Sequence, residues 1–185
     1  MASRPDTPAP HLPSVRISPA TADDEATLWL MLTYAASMGD GGPDQVAMAQ
    51  ADPCLCAYVD GWGSQAGDLG VIAREAGGRA IGAAWLRLSP EATPGRVAEP
   101  SVPELAAGVD PEARGRGVGT RLLQALVVLA APTYRRIRLS VRAENPARRF
   151  YGRLGFQEVS RMTNRVAGES IVMALELPHP QGTHG

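Results

Sequence analysis

The sequence predicts an α/β fold in which one sheet of about six or seven strands carries about four helices. Three observations carry that reading. A β-compatible run, Pro103 to Val109, leads through the glycine-rich stretch DPEARGRGVG into apolar positions at helical spacing, Val118, Leu122, Leu126 and Leu129. Arg136 to Val141 then alternates, with Ile137, Leu139 and Val141 against Arg138 and Ser140, and is followed by Asn145-Pro146 and a second amphipathic helix. Finally, 185 residues at 44% hydrophobic suffice for one sizeable core, and neither an internal repeat nor a linker divides residues 14–177.

In chain order, residues 1–13 read as a flexible leader and Ser14 to Ile17 as a short strand. Thr21 and Asp24 have capping-box spacing and open a helix through Leu28, Leu32 and Ala35, which stops at Gly39-Asp-Gly-Gly-Pro43. A second helical stretch runs from Asp44 to Tyr58 and is interrupted near Pro53. Leu69 to Arg74 and Ala80 to Leu88 form a hairpin about Glu75-Ala-Gly-Gly78, and Ser89 to Ser101, with Pro90, Pro94 and Pro100, is a long connection. After the strand and helix from Pro103 to Ala130, Leu123, Val127 and Ala130 complete the apolar side, with Arg121 and Gln124 opposite. Asn145 caps a helix with Ala147, Phe150, Tyr151 and Leu154 on one side and Arg148, Arg149 and Arg153 on the other, ended by Gly155. Two strands, Phe156 to Arg161 and Glu169 to Leu177, close the domain, and residues 178–185 form a flexible tail.

A formal net charge of −1 supplies no general attraction for nucleic acid or an anionic membrane. All 18 basic residues are arginine, which together with abundant Ala, Gly and Pro reads as the codon bias of a GC-rich bacterial genome. The N-terminus lacks the apolar core of a secretory signal, and the apolar run within Leu122 to Ala131 is too short to span a bilayer, so a cytoplasmic protein is expected. Cys54 and Cys56, one residue apart, read as buried reduced thiols. His11, His179 and His184 fall in the terminal segments, which removes a Ser-His-Asp or Cys-His nucleophile and a His-containing zinc site; no metal is expected.

The glycine-rich stretch carries the chemistry. Gly115, Gly117 and Gly119 remove side chains, so that a ligand can approach backbone amides closely. The unsatisfied N–H groups and the dipole of the following helix favour an anion there, and Arg114 and Arg116 add positive charge. Phosphate is the expected visitor. The G-x-G-x-G order does not match the G-x-G-x-x-G dinucleotide fingerprint, and no Gly-Lys-Ser/Thr of a Walker loop is present.

Arg114-x-x-Gly117-x-Gly119 resembles the pyrophosphate-binding motif of the GNAT N-acetyltransferase superfamily, and NPARRFYGRLGF, Asn145 to Phe156, resembles that family's second characteristic segment in the family's order. The resemblance implies the GNAT fold, a central mixed, mostly antiparallel sheet, and acetyl-CoA as acyl donor. It also implies that the backbone at Val109 pairs with the pantetheine arm, that Arg114, Gly115, Arg116, Gly117, Val118, Gly119 and Thr120 cradle the pyrophosphate, and that Asn145 contacts the cofactor. Tyr151 matches the tyrosine beside the thioester sulfur, as the acid for the leaving thiolate. Glu104 lies where some members keep a carboxylate that accepts the amine proton. The reaction implied is direct transfer to a primary amine without an acyl-enzyme, and the family offers a homodimer.

The acceptor is read as a small amine, a free amino acid or a protein N-terminus. Its site is expected among the first two helices, the loop of 89–101 and the final turn, where Trp29, Tyr34, Tyr58 and Trp62 with Asp40, Asp44, Asp52 and Asp60 offer an aromatic and acidic pocket for a cationic amine, against core aromatics and exposed carboxylates as the favoured reading for most of them. The competing reading is a non-catalytic acyl-CoA-binding or regulatory module with the same fold.

Overall fold

A computed structural model describes residues 14–39, 41–88, 99–164 and 167–178. The leader, Asp40, most of the loop from Ser89 to Ser101 and all three histidines lie outside the described residues. Seven strands, β1 (Arg16–Pro19), β2 (Leu69–Arg74), β3 (Ala80–Arg87), β4 (Glu104–Val109), β5 (Arg136–Arg142), β6 (Gln157–Thr163) and β7 (Glu169–Glu176), form one sheet in the order β1-β2-β3-β4-β5-β7-β6. The described residues also form five helices, α1 (Glu25–Ala35), α2 (Pro43–Ala51), α3 (Pro53–Val59), α4 (Val118–Ala130) and α5 (Ala147–Arg153), with short 3₁₀ turns at Ala22–Asp24 and Pro111–Ala113. This is the α/β GNAT fold expected from the sequence.

Every neighbouring pair in the sheet is antiparallel except β4 and β5, which run parallel. That pair is joined at one register position, Glu104 opposite Arg138, whereas the β5–β7 pair stays in register from Arg136 to Arg142. Beyond Glu104 the two parallel strands separate, which opens the middle of the sheet while both outer parts stay intact.

Each face of the sheet has its own core. Under α4 and α5 lie Val71, Ala84, Leu86, Leu105, Ile137, Leu139 and Ile171 with Val118, Leu122 and Leu126; under α1 to α3 lie Ile72, Ala83, Trp85 and Ala106 with Leu28, Met31, Leu55 and Val59. Two glycines set how closely the helices approach. A Cβ on Gly108 of β4 would stand 2.0 Å from the Met31 carbonyl oxygen, so α1 rests directly on the strand backbone. A Cβ on Gly82 of β3 would stand 2.9 Å from Leu122 Cδ1, and its absence seats α4.

Several local expectations shift. The first strand begins two residues later than the alternation suggests and ends at Pro19, a position that an edge strand tolerates. Thr21 and Asp24 do form the capping box, with Thr21 N–H donating to Asp24 Oδ2 at 2.8 Å. The second helical stretch is two helices, because Pro53 cannot continue α2, and Asp52 Oδ1 accepts the Cys54 N–H at 2.9 Å to start α3. Cys54 and Cys56 are half-buried rather than buried, since α3 packs through Leu55 and Val59. The polar side of β5 is covered as well as the apolar one: Arg138 is 3% exposed. No helix among the described residues is long and apolar enough to cross a membrane.

Candidate active site

A cavity of about 790 Å³, within the ordinary range for small-molecule sites, fills the gap between the diverging strands. Its walls combine Leu105 to Val109 of β4 and Leu139 to Arg142 of β5 with parts of α1, α3, α4 and α5. The glycine loop forms one end. Gly115 and Gly117 have φ of +73° and +76°, which an L side chain adopts only under strain, and a Cβ on either would meet nothing within 4 Å. Crowding by the protein therefore does not explain these glycines; a turn that leaves its backbone open does.

Gly117 sits at the N-cap of α4 and supplies no side-chain cap, so the first amides of the helix have no side-chain acceptor there. Arg114, Gly115, Gly117, Val118, Gly119 and Thr120 all line the cavity, as does Val109. Arg116 does not. Its guanidinium turns outward to Glu75, Nη1 to Oε1 at 3.5 Å, and Glu75 also binds Arg79, which in turn bridges to Asp110 at 2.8 Å. Arg114 Nε donates to the Val109 carbonyl at 3.3 Å, which ties the loop back to the end of β4.

Asn145 and Tyr151 also line the cavity, and α5 abuts the start of α4, where a Cβ on Gly119 would stand 3.4 Å from Phe150. Asn145 Oδ1 accepts the Ala147 N–H at 2.8 Å, so it caps α5 as its sequence position suggests, although the regular helix begins at Ala147. Tyr151 packs against Phe150 and Phe156, with ring centroids 5.4 and 5.7 Å away. Burial pushes its phenol up to about 12, so the hydroxyl keeps its proton throughout the neutral range. Tyr151 is half-buried on the cavity wall, and its hydroxyl makes no hydrogen bond to any described residue.

Glu104 is 2% exposed and is not the solvated strand-edge carboxylate that its position could equally have made it. Its Oε1 accepts the Tyr58 hydroxyl at 2.6 Å and the Ser140 hydroxyl at 3.2 Å, and its Oε2 stands 3.7 Å from Arg138 Nη2. Tyr58 and Ser140 line the cavity, whereas Glu104 sits behind them. Tyr58 is 46 residues from Glu104 and Ser140 is 36 residues away, so no local spacing in the sequence joins these three groups.

The expected aromatic and acidic acceptor pocket is corrected. Tyr34 and Tyr58 line the cavity with Ser37 and Cys54, but Trp29 and Trp62 are core residues at 4% exposure each. Asp44, Asp52 and Asp60 lie outside the lining; Asp52 is used as the cap of α3, and Asp40 lies outside the described residues. Burial, with Asp60 and Asp52 nearby, pushes the Cys56 thiol up, which suits an inert thiol. Polar lining groups that the sequence reading did not assign to the site include Arg142, Asn164 and Ser170, and Arg153, expected on the outer side of its helix, lines the cavity too. Arg142 faces Ser170 across the β5–β7 ladder, and Asn164 Nδ2 donates to Ser170 Oγ at 3.4 Å.

Comparison with known proteins bears on the family and the fold. A model described as the acetyltransferase (GNAT) family matches residues 41–156. A mycothiol acetyltransferase of Pseudarthrobacter chlorophenolicus is 33% identical over 155 residues, which are 82% of this chain and 45% of that protein; the chain thus spans under half the length of this curated relative. Among solved structures, a GNAT-family acetyltransferase from Streptococcus pneumoniae superposes with a TM-score of 0.63 at 16% identity, covering 89% of this chain and 100% of the other. The ribosomal-protein-S18-alanine N-acetyltransferase from Escherichia coli gives 0.61 at 18% identity, over 92% and 98%. An aminoglycoside acetyltransferase in complex with coenzyme A and kanamycin gives 0.59 at 23% identity, over 88% and 95%. At such identities the structural likeness speaks for the fold.

Proposed function

The chain belongs to the GNAT acetyltransferase family, and we propose that it moves an acetyl group from acetyl-CoA directly to a primary amine, with both substrates bound at once. One observation carries this reading. The cleft between β4 and β5 is lined by open, uncapped amides of the glycine loop and by half-buried Tyr151, whose hydroxyl has no hydrogen-bond partner among the described residues. Both features fit acetyl-CoA, whose pyrophosphate accepts from amides and whose thioester sulfur accepts from a hydroxyl.

In this reading the amides of Gly115, Gly117, Val118, Gly119 and Thr120, with Arg114, hold the pyrophosphate, and the backbone at Val109 orients the pantetheine arm. Asn145 fixes the start of α5 through Oδ1 and keeps its amide nitrogen for the cofactor. When bound, the thioester supplies an activated acyl carbon. Tyr151 donates its proton to the departing sulfur, and Glu104 is the final acceptor of the amine proton. The acceptor is a small amine or a protein N-terminus. Arg142, which also lines the cavity, supports an acceptor that carries a carbonyl or carboxylate oxygen beside its amine.

Isothermal titration with acetyl-CoA and CoA on wild type and Gly117→Glu tests the cofactor assignment, followed by CoA-thiol release over amino acids, peptides and aminoglycosides. Binding by the wild type, its loss in the variant and thiol release with at least one amine are the expected results. A folded wild type that binds neither nucleotide overturns the reading. Binding without release from any amine favours a silent acyl-CoA-binding module.

A further inference from the structure

Glu104 is too deeply buried to touch an amine in the cavity, yet two hydroxyls of the cavity wall point at it. The Tyr58 contact is the shorter, 2.6 Å against 3.2 Å for Ser140. Tyr58 is also held in place from behind. Its carbonyl accepts Trp85 Nε1–H at 2.9 Å, and the Asp60 carbonyl two residues on accepts Arg87 Nη1–H at 2.7 Å. Arg87 is itself buried, bound through two nitrogens by Asp68 at 2.9 and 2.8 Å and stacked over Trp62 at 5.5 Å. These contacts join the C-terminal end of α3 to β3, so the backbone that carries Tyr58 is held by the sheet as well as by its own short helix.

We propose that Tyr58 is a further catalytic residue, a proton relay between the acceptor amine and Glu104. This rests on the transfer reading above, with Glu104 as final proton acceptor. The amine nitrogen bonds to the acetyl carbon and the carbon–sulfur bond breaks, its electron pair leaving on sulfur, which takes the proton of Tyr151. The nitrogen gives its extra proton to Tyr58 Oη while Tyr58 gives its own to Glu104 Oε1. Tyr58 ends neutral, Glu104 ends protonated and Tyr151 ends ionised; release of one proton from Glu104 to solvent and return of one to Tyr151 restores the site.

The other groups around Glu104 suit this part. Arg138 from β5 stands 3.7 Å from Oε2 and 3.4 Å from Glu99, and Arg87, opposite Glu104 in the β3–β4 ladder, is occupied by Asp68. Arg138 thus brings positive charge to the Oε2 side of the carboxylate and leaves Oε1 to the two hydroxyls. Cys54 is the remaining titratable side chain of α3 on this wall of the cavity.

The test follows CoA-thiol release with glycinamide, an alanine-initiated peptide and kanamycin as probe amines, from about pH 7 to about pH 10, in wild type, Tyr58→Phe, Glu104→Gln, Ser140→Ala and the Tyr58→Phe/Glu104→Gln double variant. Tyr58→Phe is expected to lose about 100-fold in kcat near neutrality, the usual size of a lost general acid–base step, with its acetyl-CoA affinity within error of wild type and only the small fall in Tm that a lost hydrogen bond to Glu104 brings. The deficit shrinks as pH rises and solvent takes over the proton, and the double variant is no worse than Glu104→Gln, because one path is broken twice. Ser140→Ala stays within a few-fold of wild type. A deficit that is equal at every pH and comes with a larger fall in Tm makes the contact merely structural and overturns the relay. Loss in Glu104→Gln with an unaffected Tyr58→Phe, or with the loss moved to Ser140→Ala, overturns it and leaves Glu104 standing as base. Unaffected Glu104→Gln removes the base itself, and no thiol release by wild type with any probe overturns the transfer reading on which the relay rests.

Discussion

The two walls of the cleft are made in different ways. The wall of α4 and α5 is assembled from neighbours in sequence: an open loop runs straight into the helix it caps, and Asn145 bonds two residues ahead to Ala147. The wall of α1 to α3 is assembled across the chain: Tyr58 meets Glu104 across 46 residues, Trp85 meets Tyr58 across 27, and Arg87 meets Asp68 across 19. Local geometry suits a cofactor whose phosphates need only amides and charge. The acceptor wall depends on the fold being complete, because its polar groups are positioned by partners in other strands.

The comparison is broken most severely from the long-range side. Arg87→Leu leaves Asp68 buried without its cation and is expected to cost about 3–5 kcal/mol, read by denaturant unfolding, while the glycine loop sequence is untouched. Gly108→Ala drives a methyl into the Met31 carbonyl and is expected to cost about 3 kcal/mol, near the upper end for overpacking, lowering Tm by roughly 10 °C in a chain of this size. Gly115→Ala, by contrast, meets open space and carries only the strain of its positive φ, about 1 kcal/mol.

Tyr151→Phe sharpens the comparison chemically. It should lower kcat by about 100-fold while CoA affinity is kept, measured by thiol release and titration. Its pH signature is separate. The phenol is raised from an ordinary value near 10 to about 12, so the folded state holds this proton more tightly than the unfolded state does. The stability that this represents is whole below about pH 10 and is lost as pH rises toward 12, on the order of 2 kcal/mol, and Tyr151→Phe should lack that part of the alkaline decline. The smallest effect separates the two loop arginines: Arg114→Ala is expected to weaken CoA binding about tenfold by titration, and Arg116→Ala less than about threefold, since its guanidinium pairs with Glu75 outside the cavity.

Legibility followed the same division. The capping box at Thr21, the two-part helix broken at Pro53, the hairpin of β2 and β3 and the open glycine loop were all readable, because each depends on residues a few positions apart. The acceptor pocket was not. Trp29 and Trp62 carry the same side chains as any pocket aromatic, and only packing against Leu28, Val59 and Trp85 makes them core.

What the sequence by itself determined is the order of the elements, the open amide loop before α4 and the capped helix that carries Tyr151, since periodicity, turn residues and caps act within a turn or two of chain. Only the tertiary structure decided that β4 and β5 separate beyond one shared register position, that Arg116 faces away from the cleft, and that Glu104 is buried behind Tyr58 and Ser140. Those facts come from which strands lie side by side and from the burial this imposes. A carboxylate on a strand reads the same in sequence whether water or two hydroxyls and an arginine surround it.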